Sequence, residues 1–349
     1  MNNKRVDWVD TAKGICIVLV VMLHSVTGVE ANRGDFGWMH AIIEFCAPFR
    51  MPDFFLISGL FLASVIDRDW KLYIDRKVVH FAYFYVLWLS IQFIIKMPSF
   101  TNEMGFMGTV EFYLMSFVDP FSMLWFIYML PIFFVVSKLA HDWKIPWQLV
   151  LGAAALLQIA PIHTGWLLID SFASRFVYFY AGFVFAPHIF ALADWARERV
   201  FLSIGLLVTW GLVNAILVFN GLSTLPFLSL ALGAAGAGAI ILTSALIVKV
   251  GTLDYLRVFG ENSIVIYLSF FFPMAVTREI LLRFGMLDTG TISLIVNIVA
   301  VSAPMVLFWM IRKTNVGWFL FKRPKWAYLN GTYLKQARAT STIPLTGKN

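Results

Sequence analysis

The residue best suited to chemistry in this chain is His24, an imidazole within an apolar segment. Lys13 precedes it by eleven residues. On a helix this spacing places the two side chains about 20° apart around the axis and about 16 Å apart along it. Asp10 falls on the same helical face as Lys13. Because ionisable side chains are costly inside a bilayer, we interpret this face as a candidate functional site if the segment spans a membrane.

A second group of polar residues lies in the next apolar segment. It contains Glu44, Arg50 and Asp53, and its two prolines, Pro48 and Pro52, predict a break in the helix. Broken backbone at membrane depth is tolerated where it is buried in protein or lines a water-filled cavity. Two interpretations stay open: a salt-bridge cluster that only holds helices together, or carboxylates that orient a buried histidine for proton transfer.

Two further pairs are candidates for binding. Arg76 and Lys77 begin the third apolar segment, where they either anchor the helix at the membrane surface or contact a phosphate group. Tyr178 lies near the start of an apolar run, where tyrosine is usually an interfacial residue. Arg175 lies on the side of the membrane where the connections carry few other cations. The two cysteines both lie in apolar segments and have no metal-ligand spacing, so we expect no bound metal.

The elements that position these residues are membrane-spanning helices. The chain has 60% hydrophobic and 13% charged residues and a mean hydropathy of +0.79, whereas soluble proteins carry about 25% charged residues. Apolar runs long enough to cross a bilayer begin at about residues 12, 37, 77, 121, 146, 172, 200, 226, 259 and 290. We therefore predict an all-α polytopic membrane protein with about ten transmembrane helices.

Lysine and arginine concentrate in alternate connections between these runs, which predicts that the N-terminus and the C-terminus are both cytoplasmic. The net charge of +7 comes mostly from these lysine and arginine residues, so it does not indicate a nucleic-acid partner. No internal repeat or second domain is visible. We expect a single transmembrane domain over residues 1–325 and a polar cytoplasmic tail over residues 326–349.

The motifs resemble a known family. Residues 8–15, WVDTAKGI, followed by His24, resemble the opening signature of the acyltransferase 3 family, whose first helix carries Arg or Lys, ten residues and then His. Residues 50–59, RMPDFFLISG, are similar to its second-helix motif, particularly in the subgroup with fucose 4-O-acetylase-like and related inner-membrane proteins. Later blocks follow in the family's order: Arg76-Lys77, Leu124-Trp125-Phe126, Arg175-Phe176-Val177-Tyr178, and Gly260-Glu261-Asn262-Ser263 with Ile266-Tyr267-Leu268. Many members carry a histidine shortly after that tyrosine, whereas this chain continues LSFF, so the role of that histidine cannot be carried over.

This resemblance implies a multi-pass O-acyltransferase of the cell inner membrane. It would move an acyl group, acetyl by expectation, from cytoplasmic acyl-CoA to a hydroxyl of an envelope or exported carbohydrate. Acetyl-CoA or another acyl-CoA is then a co-substrate, and no cofactor is bound permanently. The expected partners are the carbohydrate acceptor and membrane lipids, and whether the protein forms a homo-oligomer is left open. The implied roles are catalysis by His24 as general base with Glu44 and Asp53, donor binding by Lys13, Arg76 and Lys77, and acceptor or oxyanion binding by Arg50, Arg175 and Tyr178. An acyl-histidine intermediate is a second route.

Two other classes of function stay open. Intramembrane ionisable residues beside broken helices also describe the substrate or proton site of a secondary transporter, with Glu44, Arg50, Asp53 and His24 as its residues. A non-catalytic scaffold in an envelope assembly is the third interpretation. The ordered match to several acyltransferase motifs favours the enzyme.

Overall fold

The computed structural model describes residues 6–285 and 287–329. Within these ranges the secondary structure is helical and contains no strand. The helices are α1 (Asp7–Arg33), α2 (Met39–Cys46), α3 (Arg50–Gly59), α4 (Trp70–Ile74), α5 (His80–Met115), α6 (Trp125–Asp142), α7 (Trp147–Ile159), α8 (Leu167–Val184), α9 (Ala186–Glu198), α10 (Val200–Phe219), α11 (Leu228–Val250), α12 (Asp254–Glu261), α13 (Ser263–Ser269), α14 (Phe271–Phe284) and α15 (Thr289–Thr314). A π-helix over Asp75–Val79 joins α4 to α5.

The prediction of an all-α polytopic membrane protein is confirmed. Seven helices in the described ranges are long and apolar enough to cross a membrane, and an eighth span results if α13 and α14, bent by 54° at their junction, count as one. The sequence-based count of about ten treats shorter pieces as full spans. One of them, α7, is apolar but has only 13 residues. The side on which each terminus lies stays a prediction.

The chain divides into two compact units. Unit 1 comprises Met1–Phe61, Pro146–Thr164 and Ala173–Thr314, and unit 2 comprises Leu62–Ile145, Gly165–Phe172 and Asn315–Asn349. The predicted single domain over residues 1–325 stays a prediction. Of the predicted tail, residues 330–349 lie outside the described residues.

Helix α1 is the central element of unit 1 and packs against α3, α11, α12 and α15. Its contact with α12 depends on two glycines. A Cβ atom added at Gly14 would overlap the carbonyl oxygen of Leu256, and one added at Gly260 would overlap the carbonyl oxygen of Asp10. Small residues at a crossing allow two helix backbones to approach closely. This contact holds the face of α1 that carries Lys13.

The second apolar segment is broken, as its prolines predict. Helix α2 ends at Cys46 and α3 begins at Arg50, with Pro48 in the interruption. Pro52 falls in the first turn of α3, where its missing N–H costs no hydrogen bond within the helix. The break places the polar residues of this segment on two short helices rather than on one continuous span.

Candidate active site

His24 lies on α1 in unit 1 with its ring against an aromatic side chain. The centroids of the His24 and Phe270 rings are 5.6 Å apart and their planes are inclined by 33°. Phe270 occupies the bend between α13 and α14. The imidazole forms no hydrogen bond or ion pair with a described residue, so its nitrogen atoms are available to a bound ligand.

Lys13 and Asp10 form the pair that their spacing predicts. The Lys13 Nζ atom lies 3.3 Å from Oδ1 of Asp10, and it also lies 5.9 Å from the ring centroid of Phe61. Asp10 is buried, whereas the side chain of Lys13 is about one-third exposed at 32%. The buried carboxylate therefore orients a cation whose ammonium group stays accessible.

Arg50 and Asp53 are both buried on α3 but do not form an ion pair with each other. The Nη1 atom of Arg50 donates a hydrogen bond of 3.3 Å to the carbonyl oxygen of Ile43, and the positive charge of Arg50 acts on His24. Asp53 is 1% exposed, and neither of its carboxylate oxygens has a hydrogen-bond partner among the described residues. A buried carboxylate without a partner is costly, which marks Asp53 as a group that a ligand would satisfy.

Arg175 and Tyr178 lie on the part of α8 that belongs to unit 1. Nη1 of Arg175 donates to Oγ of Ser174 over 2.6 Å, and its charge interacts with Tyr178 and with Arg50. Tyr178 also interacts electrostatically with Asp53. Arg50, Asp53 and Tyr178 are thus buried and Arg175 is partly buried, and electrostatic interactions connect Arg50 with Arg175 and with His24.

Glu44 lies elsewhere in unit 1. Its Oε1 atom is 3.5 Å from Nε2 of His40, and its side chain is 51% exposed. The other ring nitrogen of His40 lies 2.9 Å from Oε2 of Glu30. Sequence reasoning did not single out Glu30 or His40. The sequence did contain a signal for the pairing of His40 with Glu44, because their four-residue spacing places them on one face of a helix.

Arg76 and Lys77 lie on the π-helix in unit 2. Nζ of Lys77 lies 4.1 Å from the ring centroid of Phe134. Partial burial, and then the charge of Arg76, lower the pKa of Arg68, which precedes α4 in the chain. Irregular helix of this kind is frequent at functional sites. A bound anion would stabilise neighbouring cations such as Arg68 and Arg76.

The C-terminal segment holds this π-helix. Asp75, fully buried, accepts a hydrogen bond of 2.7 Å from Nη2 of Arg323 and one of 2.8 Å from the backbone N–H of Leu329. Arg323 also donates over 2.7 Å to the carbonyl oxygen of Asp75. The residue that precedes Arg76 and Lys77 is therefore held by a segment about 250 residues further along the chain.

Unit 2 also contains an apolar cavity of about 1020 Å³ between α5 and the C-terminal segment. Its lining includes Val79, Tyr83, Trp318 and Trp326. None of the predicted site residues lines it, so its size has no bearing on the chemistry of His24. Among the described residues, no group of three or more His, Cys, Asp or Glu side chains could hold a metal ion.

These features define a multi-pass helical membrane protein with an accessible imidazole on its first helix and a cluster of buried charges beside it. The chain belongs to the acyltransferase 3 family, because the model of that family, described as an acyltransferase domain, matches residues 6–312. The family match thus places the chain among proteins with an acyltransferase domain.

Two relatives are similar over part of their length. The chain is 26% identical to the inner membrane protein YcfT of Escherichia coli K12 over 209 residues, which is 52% of this chain and 57% of YcfT. It is 24% identical to the nodulation protein NolL of Sinorhizobium fredii over 190 residues, which is 54% of this chain and 50% of NolL. The chain thus spans about half the length of the curated relatives that it matches. No solved structure matches it significantly.

Proposed function

We propose that the protein is an inner-membrane O-acyltransferase that transfers an acyl group from acyl-CoA to a hydroxyl of a carbohydrate. The acyl group that we propose is acetyl. The observation that carries this proposal is His24, which lies on the helical face of Lys13 and has no bonded partner among the described residues. Family membership supplies the reaction class, and the accessible imidazole supplies a base within it.

His24 acts as a general base in this proposal. It takes the proton of the acceptor hydroxyl while the hydroxyl oxygen attacks the carbonyl carbon of the thioester. The tetrahedral intermediate then expels the thiolate of CoA, which receives the proton from the imidazolium. We assign to Arg50, a buried cation on α3, the stabilisation of the developing oxyanion. Asp53, Arg175 and Tyr178 supply the polar groups that bind the acceptor.

The donor carries phosphates, and cations are the groups that bind them. In unit 1 we assign this role to Lys13, which Asp10 orients. In unit 2 we assign it to Arg76 and Lys77 on the π-helix. We keep Glu44 among the catalytic candidates, acting through His40, the residue with which it is paired.

The test is turnover of acetyl-CoA by the purified protein in detergent, with an extract of envelope carbohydrate as the acceptor. His24→Gln should lower acceptor-dependent turnover by about 10²- to 10⁴-fold, because a general base typically contributes that much. His188→Gln is the matched control, since His188 is exposed on α9 and its ring centroid lies 6.2 Å from that of Phe185. Full activity in His24→Gln would refute the mechanism.

Two further outcomes distinguish the alternatives. An acetyl adduct on His24 after incubation with acetyl-CoA alone would assign the covalent route. Solute uptake by proteoliposomes without any release of CoA would instead favour a secondary transporter, whose substrate site the unpartnered Asp53 would also suit.

A further inference from the structure

A second polar constellation in unit 1 lies where α1 ends and α2 begins, at the opposite end of α1 from Lys13. It consists of Glu30 on α1, the loop residues Phe36 and Trp38, and His40 and Glu44 on α2. The mechanism above uses only Glu44 and its partner His40 from this group. The group combines exposed aromatic rings with hydrogen-bonding side chains on a fixed loop.

Several contacts with the start of α15 fix the loop. Nη1 of Arg33 donates a hydrogen bond of 2.6 Å to the carbonyl oxygen of Leu287, and Oγ1 of Thr289 donates one of 2.6 Å to Oδ1 of Asp35. A Cβ atom added at Gly37 would overlap the backbone of Gly290, so the two chain segments touch. A surface held in this way loses little conformational entropy when a ligand binds.

His40 lies between two carboxylates in unequal positions. Glu30 is buried, bonds Nδ1 of His40 over 2.9 Å and accepts the N–H of Gly37 over 3.2 Å. Glu44 is half-exposed, and its Oε1 atom is 3.5 Å from Nε2 of His40, longer than a good hydrogen bond. Glu30 thus sets the orientation of the ring. Nε2 and the Glu44 carboxylate are left facing the same space, where a ligand hydroxyl can bond to both.

The aromatic rings of the group are accessible. Phe36 is 77% exposed and Trp38 is 52% exposed, and the centroid of the Phe36 ring is 4.3 Å from that of His40. Aromatic faces bind the C–H faces of sugar rings, while carboxylates and imidazoles bond the hydroxyls around them. An anionic lipid headgroup is less suited to this group because Glu30 and Glu44 would repel it.

We propose that Phe36, Trp38, His40 and Glu44 form a carbohydrate-binding subsite for the acceptor and that Glu30 is the residue that positions His40. The choice of an acceptor rests on the proposed function. Glu30 lies six residues after His24, about 9 Å along α1 and about 120° around it. This separation exceeds one sugar ring, so the subsite binds a different ring from the one that is acylated. Oligosaccharides should therefore bind better than monosaccharides.

The experiment measures binding of the full chain in detergent to a printed array of oligosaccharides of one to six residues. The wild-type protein should bind at least one of them, with affinity rising with length. Phe36→Ala and Glu44→Gln should each lower that affinity by at least about tenfold. The matched control is Glu279→Gln, because Glu279 is an exposed carboxylate on α14 that pairs with Arg283. Thermal unfolding of each variant verifies that it is folded.

The role of Glu30 is tested by a double-mutant cycle. Glu30→Ala should weaken binding when His40 is present and should have little further effect in a His40→Ala background, because it acts through that ring. Additive losses would show that Glu30 supports the fold and does not position His40.

The outcomes separate this inference from the proposed function. His24→Gln should lower transfer by about 10²- to 10⁴-fold and leave oligosaccharide binding unchanged. Wild-type protein that binds no oligosaccharide on the array would overturn the subsite, whatever its transfer activity. Variants that keep full affinity but unfold at lower temperature would show instead that Phe36 and Trp38 are interfacial aromatic residues.

Discussion

At the scale of single residues, Asp53 is the least expected feature of the molecule. It is fully buried on α3, and its carboxylate has neither an ion pair nor a hydrogen bond with a described residue. Such a group lowers the stability of the folded state. Proteins retain destabilising groups of this kind mainly where a ligand or a reaction uses them.

Asp53→Asn should therefore separate stability from activity. Removing an uncompensated charge should leave the unfolding temperature unchanged or raise it. Acceptor-dependent transfer should fall by at least about tenfold, which corresponds to about 1.4 kcal/mol in activation free energy. The measurements are thermal unfolding in detergent and turnover of acetyl-CoA. A variant that unfolds earlier yet retains full turnover would show that Asp53 is structural.

At the scale of elements, the crossing of α1 and α12 leaves the least space for an added side-chain atom. The backbones touch at Gly14 and Gly260, which leaves no room for a Cβ atom at either position. Helix α1 carries both Lys13 and His24, so a displacement at this crossing also displaces them.

Gly14→Ala should destabilise the protein by about 1–3 kcal/mol, because the added methyl group forces the helices apart. Gly211→Ala is the control: it adds the same methyl group to α10, where nothing lies within 4 Å. That substitution should be neutral or stabilising by up to about 1 kcal/mol, since alanine favours a helix over glycine. Unfolding by a denaturing detergent measures both. Equal stability of the two variants would mean that α1 and α12 do not cross as closely as described.

At the scale of the whole molecule, the distribution of lysine and arginine predicts how the chain is threaded through the membrane. Both native cysteines are buried, so an introduced cysteine is the accessible thiol. Lys71→Cys lies on α4, on the predicted cytoplasmic side, and Asn220→Cys follows α10, on the predicted outer side. Both positions are exposed in the structure.

A membrane-impermeant thiol reagent should label Asn220→Cys in intact spheroplasts and Lys71→Cys only after the membrane is opened. The wild-type protein should remain unlabelled under both conditions. The reverse pattern would place both termini outside. It would also place Lys13, Arg76 and Lys77 on the wrong side for a cytoplasmic donor.

Local patterns were sufficient for part of the site. The face shared by Asp10 and Lys13 follows from helical periodicity alone, because residues three apart on a helix are always neighbours. The break after Cys46 follows from the chemistry of proline. Neither prediction needs any knowledge of which helices pack together.

Other parts of the site depend on contacts between residues far apart in the chain. Asp53 and Arg175 come from different helices, and the contact of Phe270 with His24 joins residues about 250 positions apart. Glu44 was predicted as a partner of the catalytic histidine, but the histidine within its reach is His40. No spacing along the chain encodes these relations.

The sequence by itself determined that this protein is an α-helical membrane protein with the motifs of the acyltransferase 3 family and with a histidine and a lysine on one face of its first helix. Hydropathy, periodicity and motif order are local properties, and they persist however the helices are arranged. The tertiary structure alone decided that Asp53 is buried without a partner among the described residues, that the ring of His24 lies against Phe270, and that His40 is held between two glutamates. Burial and pairing are properties of packed helices, so only the packing could assign them.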